Sequence, residues 1–167
     1  MTDFKKPDLN MIDENVFKLI GEDWMLITSG NKDSFNTMTA SWGGMGILWN
    51  RPVSYIFVRP TRYTYEFIEK SNGYTLSFFS ERYRKALTLC GSTSGRDTDK
   101  IAEAGLTPQE TESGEISFKE ARLVLKCRKL YFQDIDPAHF IDSSIEKMYD
   151  NDYHRMYIGE ITGIRKR

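Results

Sequence analysis

The chain is poor in the residues that announce metal or thiol chemistry. Of its 167 residues only two are cysteine, Cys90 and Cys127, and two are histidine, His139 and His154. Two thiols do not make a disulfide framework. Neither lies in a CxxC pair or beside a histidine, so the sequence offers no zinc site and no other metal site. Cys90 has no neighbouring His or Lys to activate it, which argues against a nucleophilic role. A GxGxxG fingerprint is missing, and no glycine-rich loop ends in Lys-Ser or Lys-Thr, so neither a classical dinucleotide fold nor a triphosphate loop is indicated. No apolar run approaches the roughly 20 residues of a membrane span. The first residues lack the apolar stretch of a signal peptide. Charge is balanced, 24 acidic against 23 basic residues with a net charge of -1, which gives no support to nucleic-acid binding. The expectation is a reduced, cytoplasmic protein with no nucleic-acid, membrane or metal partner.

Aromatic residues, at 13%, are what the chain has in plenty. They suit stacking on a ring system or a large interface. The length fits one domain over 1–167, able to bury roughly 70% of the surface of its unfolded chain.

Residues 1–15 are polar and read as an irregular N-terminal arm, and residues 16–20 as one helical turn ended by Gly21. Strands are expected at 24–29 and 35–42, joined by the turn residues 30–33, and at 53–58, 74–79, 121–132 and 155–164. Gly43, Gly44 and Gly46 interrupt the second strand, suggesting a bulge or a close backbone approach. Helices are expected at 63–71, at 81–89 with Ser80 as its cap, and at 97–104. Residues 107–120 read as a loop with one edge strand. Residues 136–152 read as a partly helical insertion before the last strand. Strands dominate and regular strand–helix alternation stops after Phe79. The fold class is therefore mainly β, an antiparallel barrel with peripheral helices.

Three segments can carry chemistry. In Met38-Thr39-Ala40-Ser41-Trp42, small side chains let the backbone approach a flat ring and hydroxyls add donors, while Trp42 can cover the ring. The same run also reads as a Thr-rich edge strand. Arg59, Arg62, Tyr63 and Thr64 precede a helix, where amides and guanidinium groups suit a phosphate. They also read as a surface Arg pair with a Thr cap. The loop Cys90-Gly91-Ser92-Thr93-Ser94-Gly95-Arg96-Asp97 can close over the same phosphate or the ring, or Asp97 can simply cap the short helix that holds Lys100. His154, before the last strand, can be a ligand contact or proton donor, or an ordinary surface residue.

Jointly, Asn36 to Trp42, Arg62-Tyr63-Thr64, Ser77-Phe78-Phe79, Ser94 to Asp97 with Lys100, and Asp152-Tyr153-His154 before Tyr157 to Glu160 resemble the flavin reductase-like family. The resemblance runs from about Asp23 to Ile164. It implies a Greek-key, FMN-binding split barrel and a homodimer with the flavin near its interface. Met38 to Trp42 would follow the ring edge, with Thr39 to Ser41 tuning it. Arg62, Thr64, Ser94 and Arg96 would hold the phosphate, and Ser77, Phe78 and Phe79 would line the ring's other side. His154 would stand near the nicotinamide entrance. Arg-Tyr-Thr replaces the serine run of many members, which suggests FMN rather than FAD. The insertion stands where it can cover or reshape the nicotinamide site. The activity implied is reduction of FMN by NADH or NADPH, with an unknown electron acceptor. The alternatives are a flavoredoxin-like electron carrier without its own nicotinamide chemistry and a pyridoxamine-phosphate-oxidase-like FMN protein.

Overall fold

The computed structural model describes residues 7–167. The expected arm of residues 1–15 therefore lies partly outside the described residues. Its remainder forms a 3-10 turn at Leu9–Met11, and Met11 and Ile12 pack against the core. Helix α1 (Val16–Gly21) follows, capped by the Asn15 side chain, which accepts from the amides of Phe17 and Lys18.

Strands β1 (Met25–Asn31) and β2 (Ser34–Ala40) form a hairpin in register from Met25↔Ala40 to Asn31↔Ser34. The Asn31 side chain holds the turn by accepting from the amides of Asp33 and Ser34. After Ser41 and Trp42 comes β3 (Gly43–Leu48), paired with β4 (Arg51–Val58). The glycines expected to break a strand instead belong to a strand of their own. Its hairpin turn is Trp49-Asn50, with φ of 51° and 58°, the left-handed pair that a two-residue turn demands.

The rest of the chain supplies α2 (Tyr63–Lys70), β5 (Gly73–Phe78), α3 (Arg84–Ser92) and α4 (Lys100–Glu103). The short hairpin of β6 (Pro108–Glu110) and β7 (Ile116–Phe118) precedes the long strands β8 (Leu123–Asp134) and β9 (Arg155–Lys166). Between β8 and β9, residues 136–152 hold two 3-10 turns, Pro137–His139 and Ile145–Met148.

Seven strands make one antiparallel sheet in the order β2-β1-β5-β8-β9-β4-β3. The out-of-sequence neighbours, β5 beside β1 and β9 between β8 and β4, give it the expected Greek-key character. Its two edge strands are consecutive in the chain, with only Ser41 and Trp42 between them. Three residue steps span at most about 11 Å. The sheet must therefore curl until its edges meet at that point, while β2 and β3 stay unpaired to each other. That is a barrel split along one seam, the expected fold class.

The barrel interior holds one core, with Leu19, Ile27, Ile56, Phe78, Leu125 and Tyr157 among its members. A second core, including Leu26, Phe79, Leu87, Cys90, Phe118 and Val124, fills the space between the sheet and helices α3 and α4. Burying each such side chain contributes about 2 kcal/mol. Strand β5 is buried along its whole length, since it is covered on both faces. Tyr74 at its start reaches across the barrel, its hydroxyl 2.9 Å from Ser54 Oγ. A side chain at Gly159 would collide with that hydroxyl, so β9 needs glycine there.

Candidate cofactor site

Two cavities meet beside the β2 end of the seam. The first, about 130 Å³, is lined by Asn36, Arg62, Tyr63, Thr64, Ser94 and Lys100, with Met38, Thr61, Ser92 and Thr93 around them. The second, about 210 Å³, is lined by Met38, Thr39, Trp42, Arg59, Arg62 and His154. Met38 and Arg62 belong to both, so the two are halves of one site.

The smaller half is built for an anion. Arg62 takes the N-cap position of α2 and no side chain caps that helix, which leaves its first amides without a side-chain acceptor where Tyr63 and Thr64 line the cavity. Asn36 Nδ2 donates to Thr64 Oγ1 at 2.8 Å, so the Thr64 hydroxyl keeps its own proton for another acceptor. Lys100 is 3% exposed. Its ammonium donates to the carbonyls of Cys90 at 3.2 Å and Thr93 at 3.0 Å, leaving one N–H over. Burial, with the Arg62 charge adding to it, pushes Lys100 down to about 8. Arg62 donates to the Gly91 carbonyl at 2.8 Å and is also lowered, by burial and by Arg59. Among the described residues neither cation has a carboxylate partner. A side chain at Gly95 would run into Asn36 Oδ1, so glycine lets the 93–96 loop close down on β2.

The larger half is aromatic. Trp42 and His154 rings lie 5.2 Å apart at 55°, and Phe57 meets the imidazole edge-on at 6.5 Å. His154 is 7% exposed, with Nδ1 2.9 Å from the Tyr149 hydroxyl. Burial first, and then the Arg59 charge, push it down to about 4 against the opposing pull of Asp152. The imidazole is therefore neutral at neutral pH.

Several expected residues are engaged elsewhere. Arg59 lines the larger half, but its guanidinium pairs with Asp152 at 2.6 Å and donates to the Met148 carbonyl at 3.0 Å. It anchors the 136–152 segment rather than the anion half. Arg96 pairs with Glu66 and lies 4.5 Å over the Tyr63 ring, outside both halves. The Thr39 hydroxyl donates to the Leu87 carbonyl of α3, while β2 itself is an edge strand with no paired neighbour on its outer side among the described residues. Ala40 is buried in the core, and Ser41 lines neither half. Ser77, Phe78 and Phe79 are buried in β5 and just beyond it, away from both halves. The short helix near Asp97 is capped by Asp99, which accepts from Ala102 N. Asn36, which opens the hydroxyl-rich run, and Ser92 and Thr93, from the expected loop, also line the anion half.

No cluster of three or more potential metal ligands and no helix long and apolar enough to cross a membrane occurs among the described residues. No curated protein matches the chain. Solved structures do. Flavoredoxin of Desulfovibrio vulgaris (Miyazaki F) is 25% identical, with TM-score 0.68 over 86% of this chain and 69% of its own. The FMN-binding domain of a flavin reductases-like enzyme from Shewanella baltica OS155 is 17% identical, with TM-score 0.68 over 98% and 76%. An FMN-binding protein from Thermus thermophilus with bound 1-cyclohex-2-enone is 17% identical, with TM-score 0.67 over 86% and 69%. Residues 18–167 match the family described as Flavin reductase like domain. The chain belongs to the flavin reductase-like family.

Proposed function

We propose that the chain binds FMN, with its phosphate in the Arg62–Lys100 half and its ring edge along Met38 to Trp42, and serves as an NAD(P)H-dependent flavin reductase. One observation carries the reading. Two cations without carboxylate partners among the described residues, one of them almost wholly buried, border a cavity that continues into an aromatic one. A buried cation without a counter-ion is costly, and a phosphomonoester with roughly −1.5 to −2 charges matches the pair. The residues present therefore fit the group.

Bound FMN would supply the hydride chemistry. The chain's own residues bind and orient it. Arg62, the Lys100 ammonium, the Thr64 hydroxyl and the α2 amides hold the phosphate. The β2 backbone, on the open edge of the sheet, addresses the ring edge. Trp42 and the neutral His154 exclude water from one side of the larger half and leave a polar edge for a second planar ligand. No acid or base of shifted strength is needed for hydride transfer itself.

A second reading, a flavoredoxin-like electron carrier, is favoured by the 136–152 segment. Arg59 and His154 pin it beside the larger half, where a nicotinamide would enter. Flavin absorbance after stopped-flow mixing with NADH and NADPH separates the two. Bleaching with either donor supports the reductase, and none with both leaves the carrier. A colourless protein that binds no FMN in a fluorescence titration removes both readings. A homodimer is part of the proposal. Ile47, Trp49, Tyr131 and Phe132 are 64%, 55%, 44% and 55% exposed, an apolar surface that a second copy would cover. Analytical ultracentrifugation tests it.

A further inference from the structure

Tyr149 belongs to the segment before β9 and reaches back to the larger half of the site. Its hydroxyl and His154 Nδ1 are 2.9 Å apart. A phenol is a stronger acid than a neutral imidazole N–H, and an imidazole nitrogen is a stronger base than a phenol oxygen. The hydroxyl therefore donates and Nδ1 accepts. Arg59 strengthens that polarity, its guanidinium carbon lying 5.1 Å from the Tyr149 ring centroid. A neutral imidazole that accepts at Nδ1 carries its proton on Nε2. Nε2 has no partner among the described residues and is not sealed in protein. The cavity that His154 lines is the larger half of the site.

We propose that Tyr149 is a positioning residue that fixes His154 in its Nε2–H form, so that the larger half of the site offers a neutral donor to the carbonyl oxygen of a small planar ligand beside Trp42. The charges around His154 agree. Arg59, from the end of β4, faces it but is neutralised by Asp152 and occupied by the Met148 carbonyl. Phe57 and Trp42 are apolar neighbours. What remains available is an uncharged N–H, which suits an uncharged acceptor better than a carboxylate. The carbonyl can be the carboxamide of a nicotinamide donor or the carbonyl of a conjugated acceptor. The placement of that ligand against the flavin rests on the cofactor reading, whereas the tautomer does not.

Long-range proton–nitrogen NMR of histidine-labelled protein reads the tautomer directly, with the exposed His139 as internal reference. The result expected is an Nδ1 without a proton and a protonated Nε2 at His154, and loss of that preference in Tyr149→Phe. Titration of the FMN-loaded protein with nicotinamide and with benzaldehyde is the second arm. Tyr149→Phe should weaken one or both by about fivefold, the scale of one hydrogen bond, while FMN affinity stays as in the parent. Weakening for nicotinamide alone identifies the donor's carboxamide, and for benzaldehyde alone a conjugated acceptor. A proton on Nδ1 in the parent protein overturns the proposal. So does a Tyr149→Phe variant in which tautomer and carbonyl affinities are both unchanged. Failure to bind FMN at all would sink the cofactor reading and leave the tautomer result to stand by itself.

Discussion

Asp152 accepts a hydrogen bond from Arg59 at 2.6 Å, tying the end of β4 to the segment that precedes β9. The Arg59 and Asp152 side chains are 28% and 20% exposed, so the pair is only partly screened. Asp152→Ala should lower stability by no more than about 1 kcal/mol. Its larger effect should be local. Lys147 is exposed in the same segment, and trypsin should cut after it several times faster in the variant. Mass spectrometry of early fragments gives the rate, and an unchanged rate would show that other contacts hold the segment.

Arg62→Ala removes one charged donor from the anion half. FMN affinity should fall by about 2 kcal/mol, the scale of a hydrogen bond to a charged group. Riboflavin, which has no phosphate, should bind both proteins alike. Fluorescence titrations with the two flavins separate a phosphate contact from general damage to the site.

Lys100 predicts a pH dependence. Its ammonium loses its proton as pH rises through about 8, and a phosphate needs the charged form. FMN binding should then take up a proton above that pH, with affinity falling by at most about tenfold per pH unit. Riboflavin binding should stay level over the same range. Lys100→Met should flatten the FMN curve and weaken it at neutral pH. Parallel curves for the two flavins would remove Lys100 from phosphate binding.

His154 predicts the acid side. Its value is depressed from 6.5 to about 4 in the folded chain, so between those values the unfolded chain binds the additional proton. Stability from this group is present above about 6.5 and is lost as pH falls through about 4, amounting to about 3 kcal/mol. Urea unfolding at a series of pH values reads it. His154→Phe should show a shallower decline across that window.

The anion half was legible because arginine, lysine and hydroxyl residues stand in short runs at a helix start and in one loop. Which cation serves which partner was not. Arg59 and Arg96 look equivalent to Arg62 in sequence, yet Asp152 and Glu66, brought near by folding, take their charges. The family resemblance alone puts Ser77 to Phe79 at the ring's other side, and no sequence pattern shows that β5 has a core on both faces. Strand β3 was hidden by its glycines, which have low strand propensity, and by a turn of Trp49 and Asn50 without glycine. The barrel itself was legible from the dominance of strands and their β-branched and aromatic content.

The crossing from Ala40 to Gly43 has a mechanical consequence. Met38, Thr39 and Trp42 come from β2 and the crossing, while Arg59 and His154 flank β4 and β9 near the opposite edge of the strand order. A ligand lodged among them joins the two lips of an otherwise unlaced cylinder. Occupancy should therefore slow amide exchange along the far edge, in β3, where the ligand makes no contact of its own.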